Sequence, residues 1–494
     1  MDKAGAGTYL ALKDKQNGTK ANIEALNAEI FNNTVVSKTN HAIIINGVIL
    51  TSDIAAKAKI NDKVLAGNYY VEGVNIHDNT LTAFGKSCAI KVQYAKNVVV
   101  NKNIVTAASS AETPIYITDG SSKISVTNNL IQNTVLNGIR VCNLLNGYPK
   151  GSINSISGNT IANVKAGGYG IRISDAAVTA VEKNTINKSA NIGIQADKNT
   201  KTGYSVSVAR INSNVIKSSK NAIKVMTSTI SEIIGNKISP TTAHSIQIEA
   251  KSIAKKIDKN TIATSGQTAI ILSQSKAIEI NGNVITNPKQ MGIYCYNGAA
   301  CDAISGNKIS GAKTNGIVIN TAVIKSIDSN TIASCKSFGI YLNGTSKTQV
   351  NSVKGNKISS CQLGIKILKG PKANVYVNTL AKNKGGNKYV INGTKQYTLA
   401  NPTKVPFGAK KSGKTIKLTW TRKSAVSGYI LYRSTKASSG YAKLGSAAAK
   451  ITSFVDKKAK AKTVYYYRIL PYYKVPGSNV VLYTSWTQSK GVKR

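Results

Sequence analysis

One hexapeptide pattern, Ile/Val-x-x-Asn-x-Ile/Val/Leu, recurs thirteen times, and its spacing dictates what this chain can fold into. Its asparagines are Asn79, Asn103, Asn129, Asn159, Asn184, Asn214, Asn236, Asn260, Asn283, Asn307, Asn330, Asn356 and Asn378, separated by 22 to 30 residues. A period of that length marks a solenoid, in which each repeat buries its apolar face only against its neighbours. Thirteen equivalent asparagines cannot be thirteen active sites, so they read as scaffold.

A second signal follows most of these asparagines by 8 to 11 residues: small, apolar, variable, apolar. Gly138-Ile139-Arg140-Val141, Gly170-Ile171-Arg172-Ile173 and Gly364-Ile365-Lys366-Ile367 are examples. Apolar-variable-apolar is the period-2 signature of a strand with one buried face. Each repeat therefore carries about three short β-branched strands separated by Gly, Ser, Asn and Lys turns. The variable residue is the outward one. Down the stack it reads Lys91, Tyr116, Arg140, Arg172, Gln195, Lys224, Gln247, Ile271, Tyr294, Val318, Tyr341 and Lys366.

The repeat resembles that of the right-handed parallel β-helix, or pectate-lyase-like, superfamily over roughly residues 40 to 395. The resemblance implies an all-β solenoid whose asparagines sit in the turn between the second and third sheets. Coils about 4.8 Å apart would let the amides form a ladder along the axis. It also implies a substrate lying along the outer face of the first sheet. The dense acidic cluster that holds Ca²⁺ in pectate lyases is not evident, nor are the Gly-His-Gly and Arg-x-Lys signatures of polygalacturonases, so no metal or other cofactor is expected.

Residues 20 to 31 place Ile23, Leu26 and Ile30 at helical spacing, which predicts an N-terminal cap helix over the exposed first coil within residues 1–39. After a connection at 396–402, residues 403–494 lose the Asn motif and gain aromatics. Lys417–Trp420, Gly428–Arg433, Ser453–Asp456 and Tyr465–Ile469 are spaced like strands of a β-sandwich. This stretch resembles a bacterial fibronectin type III module, a spacer beside glycan-active domains of secreted proteins.

The chain carries 66 basic against 20 acidic residues, a formal net charge of +46, and only seven of the basic residues are Arg. Such a field favours polyanionic partners, although Lys at solvent-facing turns also keeps strand edges from aggregating. No helix-turn-helix, zinc-finger spacing or nucleotide loop is present, which argues against sequence-specific nucleic-acid binding. No stretch is apolar enough for a transmembrane helix. The N-terminal residues lack a secretory pattern, yet the fold type points to an extracellular or cell-surface setting, with a leader expected to be absent from this sequence. Of six cysteines, Cys335 with Cys361 and Cys295 with Cys301 are spaced for disulfides; buried free thiols are the equal alternative. His41, His77 and His244 are scattered and read as structural.

In the outward stripe, Lys91, Tyr116, Gln195, Lys224, Gln247, Tyr294, Tyr341 and Lys366 are candidate substrate-binding residues: tyrosine faces stack on sugar rings and cations take carboxylates. Carboxylates gather where the same strands end, at Asp119, Asp175, Asp197 and Glu249. Asp119, Arg140, Arg172, Asp175 and Asp197 are the candidate catalytic group, for hydrolysis through paired carboxylates or elimination through a basic Arg or Lys. Insertions at 142–152 and 197–205 would wall the site. The expected function is binding, with or without cleavage, of an anionic, uronate-type polysaccharide or cell-surface glycan. A non-catalytic surface rod with a spacer module is the alternative, and a tailspike-like trimer a third reading.

Overall fold

A computed structural model describes residues 8–10, 28–38, 41–46, 48–50, 67–69, 71–84, 88–107, 113–144, 148–165, 167–198, 203–392, 395–397 and 405–494. The chain divides into two compact units, Met1–Tyr294 and Cys295–Arg494. Among the described residues all regular structure is β, in a parallel solenoid of the right-handed type followed by antiparallel strands.

In the first unit every coil contributes one strand to each of three parallel sheets. One coil runs Tyr169–Ser174 in the first sheet, Ala176–Glu182 in the second and Thr185–Ser189 in the third. Coil pairs with coil in register, for example Ile171 with Ile194 and Ile186 with Ile216. Both isoleucines of the repeat point inward, and Ile211, Ile216, Ile233 and Ile262 are fully buried. Removing each such side chain from water contributes about 1.5–3 kcal/mol. That stacked burial is the driving force the repeat encodes.

The asparagines occupy the turn from the second sheet to the third. From Asn79 to Asn356 the residue just before each adopts a left-handed conformation, as at Asp78, Lys102, Lys183 and Ser213, with φ between 53° and 56°. The chain can thus reverse within two residues. Inside the turn the amides from Asn79 to Asn260 make the same contacts. Asn184 Nδ2 donates to Asn214 Oδ1 at 3.0 Å and to the Ile156 carbonyl at 2.8 Å, while Asn184 Oδ1 accepts from the backbone N–H and the Nδ2 of Asn159, both at 3.0 Å. Rungs join Asn79 to Asn103 and continue without a break to Asn283. In the second unit they join Asn307, Asn330, Asn356 and Asn378.

The predicted cap helix is corrected. Ala28–Phe31 is a strand paired with Val74–His77, and Thr34–Ser37 pairs with Thr80–Ala83. The part of the prediction on residues 20–27 lies outside the described residues. Ile30-Phe31-Asn32-Asn33-Thr34-Val35 is itself a copy of the motif, and Asn33 Nδ2 donates to Asn79 Oδ1 at 3.0 Å. Helical spacing of apolar residues masked a coil.

In the second unit, Ile317–Asn320, Phe338–Asn343, Leu363–Ile367 and Tyr389–Ile391 form the first sheet. At its third corner Cys335 and Cys361 are free, buried thiols that act as ladder rungs. The Cys335 N–H donates to Cys361 Sγ at 3.4 Å, each thiol bonds the carbonyl two residues before it, and the Cys361 N–H continues to Asn383 Oδ1. Cys295 and Cys301 are buried thiols as well.

The C-terminal strands form two antiparallel layers. Thr415–Trp420 lies between Phe407–Ser412 and Ser453–Asp456, and Gly428–Ser434 lies between Ala442–Ala448 and Val464–Lys474. Trp420, Tyr429, Leu431, Tyr467 and Ile469 share their core. Arg433 is bonded through Nη1 to both oxygens of the buried Asp456, at 3.1 and 2.9 Å, and Tyr467 Oη donates to the same carboxylate at 2.9 Å. Strand Asn479–Tyr483 is antiparallel to the end of Val464–Lys474 in this layer and also pairs, in parallel, with Lys372–Val375 of the solenoid's second sheet. The last solenoid strand of that sheet therefore has no open edge, and the C-terminal layers are joined to the coils by backbone hydrogen bonds.

Candidate functional site

Cross-coil register lines up the outward positions of the first sheet in the first unit. Lys91 pairs with Tyr116, Tyr116 with Arg140, Arg140 with Arg172, and the line continues through Gln195, Lys224, Gln247 and Ile271. Because β side chains alternate faces, residues so paired stand side by side on one surface. Tyr294 lies in strand Ile293–Tyr296 and is half-buried. In the second unit Val318, Tyr341 and Lys366 are aligned, and Lys366 Nζ stands 4.8 Å above Phe338 and 5.9 Å above Tyr341.

The centre of the first unit's line is a clamp. Arg172 donates through Nη2 to Asp197 Oδ2 at 2.7 Å and through Nε to Oδ1 at 3.4 Å. Ser174 Oγ donates to Oδ1 at 2.7 Å and Gln195 Nε2 to Oδ2 at 2.8 Å. Tyr169 lies under the guanidinium at 5.0 Å. Burial opposes the charge on Arg172, but the bond to Asp197 and its negative charge outweigh burial and raise the guanidinium pKa further. Two coils on, the same construction recurs. Lys224 Nζ contacts Glu249 Oε1 at 2.8 Å, Gln247 Nε2 donates to Glu249 Oε2 at 2.6 Å, and Asn221 Nδ2 donates to Gln247 Oε1. Both clamps are written as Ile-Gln-x-acid, in Ile194-Gln195-Ala196-Asp197 and Ile246-Gln247-Ile248-Glu249, after a cation on the preceding coil. That spacing was visible in the sequence, but its meaning required knowing which coils touch.

Arg140 is built differently. Its guanidinium lies 5.4 Å from the Tyr116 ring, its Nε is buried without a hydrogen-bond partner, and among the described residues it joins no ion pair. Tyr116 is itself 92% covered, packed with Cys88 and Cys142, and its hydroxyl lies 3.1 Å from Cys142 Sγ. Burial, then the nearby Cys142, drives the Tyr116 hydroxyl pKa far up, and burial raises the Cys142 thiol, so both stay protonated. Tyr116 thus supports Arg140 from below, and little of its own face is open for stacking.

The remaining carboxylates belong to turns. Asp119 and Asp175 follow their strands with φ of 50° and 56° and are almost wholly buried. Asp119 Oδ1 accepts the Leu144 N–H at 2.8 Å. Register pairs Ser174, not Asp175, with Asp197. Asp197 faces Arg172 on the outer surface, while Asp175 sits one residue further along in the buried turn. The two do not form the facing pair that acid–base cleavage needs. Asp197 already receives four donors, which take up its lone-pair sites and tie it to the one cation, Arg172. The flanking insertions pack on each other: the Tyr204 hydroxyl donates to the Tyr148 carbonyl at 3.0 Å, and Tyr148 packs edge-on against Tyr94 at 4.9 Å.

These features define a parallel β-solenoid with a polar, cation-bearing outer line on its first sheet. Residues 212–409, less than half of the chain, match the family described as periplasmic copper-binding protein (NosD). No curated protein sequence matches. Among solved structures, an Fn3-like protein from Clostridium thermocellum is 23% identical over 19% of this chain and 91% of that one, with a TM-score of 0.16. Tailspike protein 3 of bacteriophage CBA120 is 11% identical over 77% of this chain and 55% of that one, with a TM-score of 0.36. Tailspike protein 2 from an Escherichia coli O157:H7 bacteriophage is 11% identical over 81% and 61%, with a TM-score of 0.33. The chain thus spans little more than half of either tailspike.

The family description raises copper, whose sites are built from thiolate, thioether and imidazole ligands. Among the described residues no three His, Cys, Asp or Glu side chains converge. His244, the histidine of the matched segment, is turned to the Thr268 carbonyl at 3.3 Å, and the four cysteines there are buried. These residues do not fit a copper centre.

Proposed function

We propose that this protein binds an extended anionic polysaccharide along the outer face of its first sheet, between Lys91 and Gln247, in an extracellular or periplasmic setting. The observation that carries the reading is Arg140, which joins no ion pair among the described residues, beside two internally neutralised clamps. Arg172 and Lys224 have their charge balanced by Asp197 and Glu249, so they and the two glutamines offer directional hydrogen bonds suited to sugar hydroxyls. Arg140 keeps free donors and net charge, so it is the place for an acidic group such as a uronate carboxylate. A ligand carboxylate there would satisfy the buried Nε. The saturated Asp197 favours binding over cleavage. The C-terminal layers are read as a fibronectin type III module, and the solenoid as pectate-lyase-like in class but not in chemistry.

A glycan array at two salt concentrations tests this with wild type, Arg140→Ala and Arg172→Ala. Loss of a charge-assisted bond of about 1.5–3 kcal/mol predicts roughly ten- to hundredfold weaker binding to polygalacturonate for Arg140→Ala, persisting at high salt. Binding to every polyanion alike that vanishes with salt and ignores both substitutions would mean that the lysine field alone is responsible.

A further inference from the structure

A second candidate site lies in the Cys295–Arg494 unit, where the last coils meet the C-terminal strands. A half-open cleft of about 670 Å³ is lined by Tyr376, Leu470, Trp486, Thr487 and Gln488, with Lys354 at its rim. That volume is within the usual range for small-ligand sites.

Trp486 is 49% exposed, whereas the chain's other tryptophan, Trp420, is 5% exposed in the core. The Arg468 guanidinium stacks on the indole at 3.7 Å and on Tyr441 at 3.7 Å, and Arg468 Nε is tied to Gln488 Oε1 at 3.0 Å. Arg468 therefore braces one face of the indole, and the exposed surface is left on the other face and the edge. Tyr376 is held by stacking on Tyr483 at 4.6 Å and 12°. A large aromatic held rigid yet half uncovered forgoes burial that a turn of the chain would otherwise supply. An independent observation points the same way: Thr487 lines this cleft, and its Oγ1, buried just behind the lining, has no hydrogen-bond partner among the described residues. A buried hydroxyl left unpaired costs about 1–3 kcal/mol, which a ligand hydroxyl would recover. An apolar platform and a waiting hydroxyl are complementary to a pyranose ring, which presents C–H bonds on its face and hydroxyls at its edge. The adjacent Arg468 and Lys354 disfavour a cationic occupant.

We infer that this cleft is a glycan subsite, taking a gluco- or galacto-configured pyranose ring stacked on Trp486 with a hydroxyl bonded to Thr487 Oγ1. It goes beyond the first-sheet reading and does not rest on it.

The full chain is titrated with cellotetraose, chitotetraose and tetragalacturonate while tryptophan emission is followed. With only two tryptophans in the chain, Trp420 being buried, a change in the exposed-indole emission reports this cleft and not the first sheet. At least one sugar is expected to give a saturable shift in the millimolar range, unaffected by Arg140→Ala. By calorimetry, Trp486→Ala should weaken that binding about tenfold or more, and Trp486→Phe much less. Thr487→Val should weaken it about fivefold without lowering stability, because it removes an unpaired hydroxyl; a merely structural threonine would leave affinity unchanged. The proposal is overturned if none of the three sugars shifts the emission up to about 10 mM. It is equally overturned if Trp486→Ala binds as wild type does.

Discussion

Replacing Asn184 by Ala tests whether the amide ladder, and not only the isoleucine stack, holds the coils. Asn184 is fully buried. Its loss strands the Asn159 N–H and one Asn159 amide hydrogen, each 3.0 Å from the missing oxygen, and takes a donor from the Ile156 carbonyl at 2.8 Å. Counting Asn214 Oδ1, which loses the Asn184 amide at 3.0 Å but keeps the Asn184 N–H, four buried groups lose a partner, and about 1–2 kcal/mol for each of the other three predicts a cost of about 3–6 kcal/mol. The first rung supplies the control. Asn33 is exposed and donates to Asn79 Oδ1 at 3.0 Å, so water can replace it and Asn33→Ala should cost less than about 1 kcal/mol. Urea unfolding of both variants, followed by far-UV circular dichroism, measures the difference, and hydrogen exchange at Ile156–Asn214 locates it. If Asn184→Ala costs no more than Asn33→Ala, the rungs are dispensable and the isoleucines alone carry the turns.

Two further outcomes follow from the packing. Burial pushes the His41 and His244 imidazoles below their ordinary value of 6.5; Lys91 adds to this for His41, and for His244 burial and Lys224 outweigh the Thr268 carbonyl and Glu249. Both groups take a proton more readily when unfolded. Their contribution to stability is therefore intact above pH 6.5 and declines as pH falls from there through the lower folded values. His41→Gln/His244→Gln should flatten the loss of unfolding free energy between about pH 7 and 5; an unchanged slope would mean that other groups set it. Truncation after Asn392 should uncover the edge of Lys372–Val375, which four residue pairs to Asn479–Tyr483 now cover. Self-association in analytical ultracentrifugation is expected, and a monodisperse monomer would refute a protective role for that strand.

The strand phase and the turn asparagines were legible because a repeat states its own rule many times over. Ile139, Ile171 and Ile194 are inward and Arg140, Arg172 and Gln195 outward, as period-2 alternation requires. The first coil was missed because Ile23, Leu26 and Ile30 also fit a helical face, and short apolar runs do not separate the two periods. The acid pairing turned on a residue count. Asp175 stands four residues after its strand's first Ile and Asp197 three, a one-residue offset that puts one in a left-handed turn and the other within a strand. Of the Thr487 cleft the sequence offered only Trp486 as an aromatic that could stand exposed, and alternation in strands explains such aromatics without a ligand.

What the sequence determined by itself was everything that repeats: the solenoid, its inward isoleucines, the amide ladder and the line of outward residues. These depend only on local periodicity and on a neighbour of the same design. Tertiary structure decided what does not repeat: that Arg172 is neutralised while Arg140 is not, that Cys335 and Cys361 serve as rungs, and that a C-terminal strand closes the last edge. Each rests on cross-coil register or on contacts between segments some 25 to more than 100 residues apart, set by coil lengths and packing that no local pattern encodes.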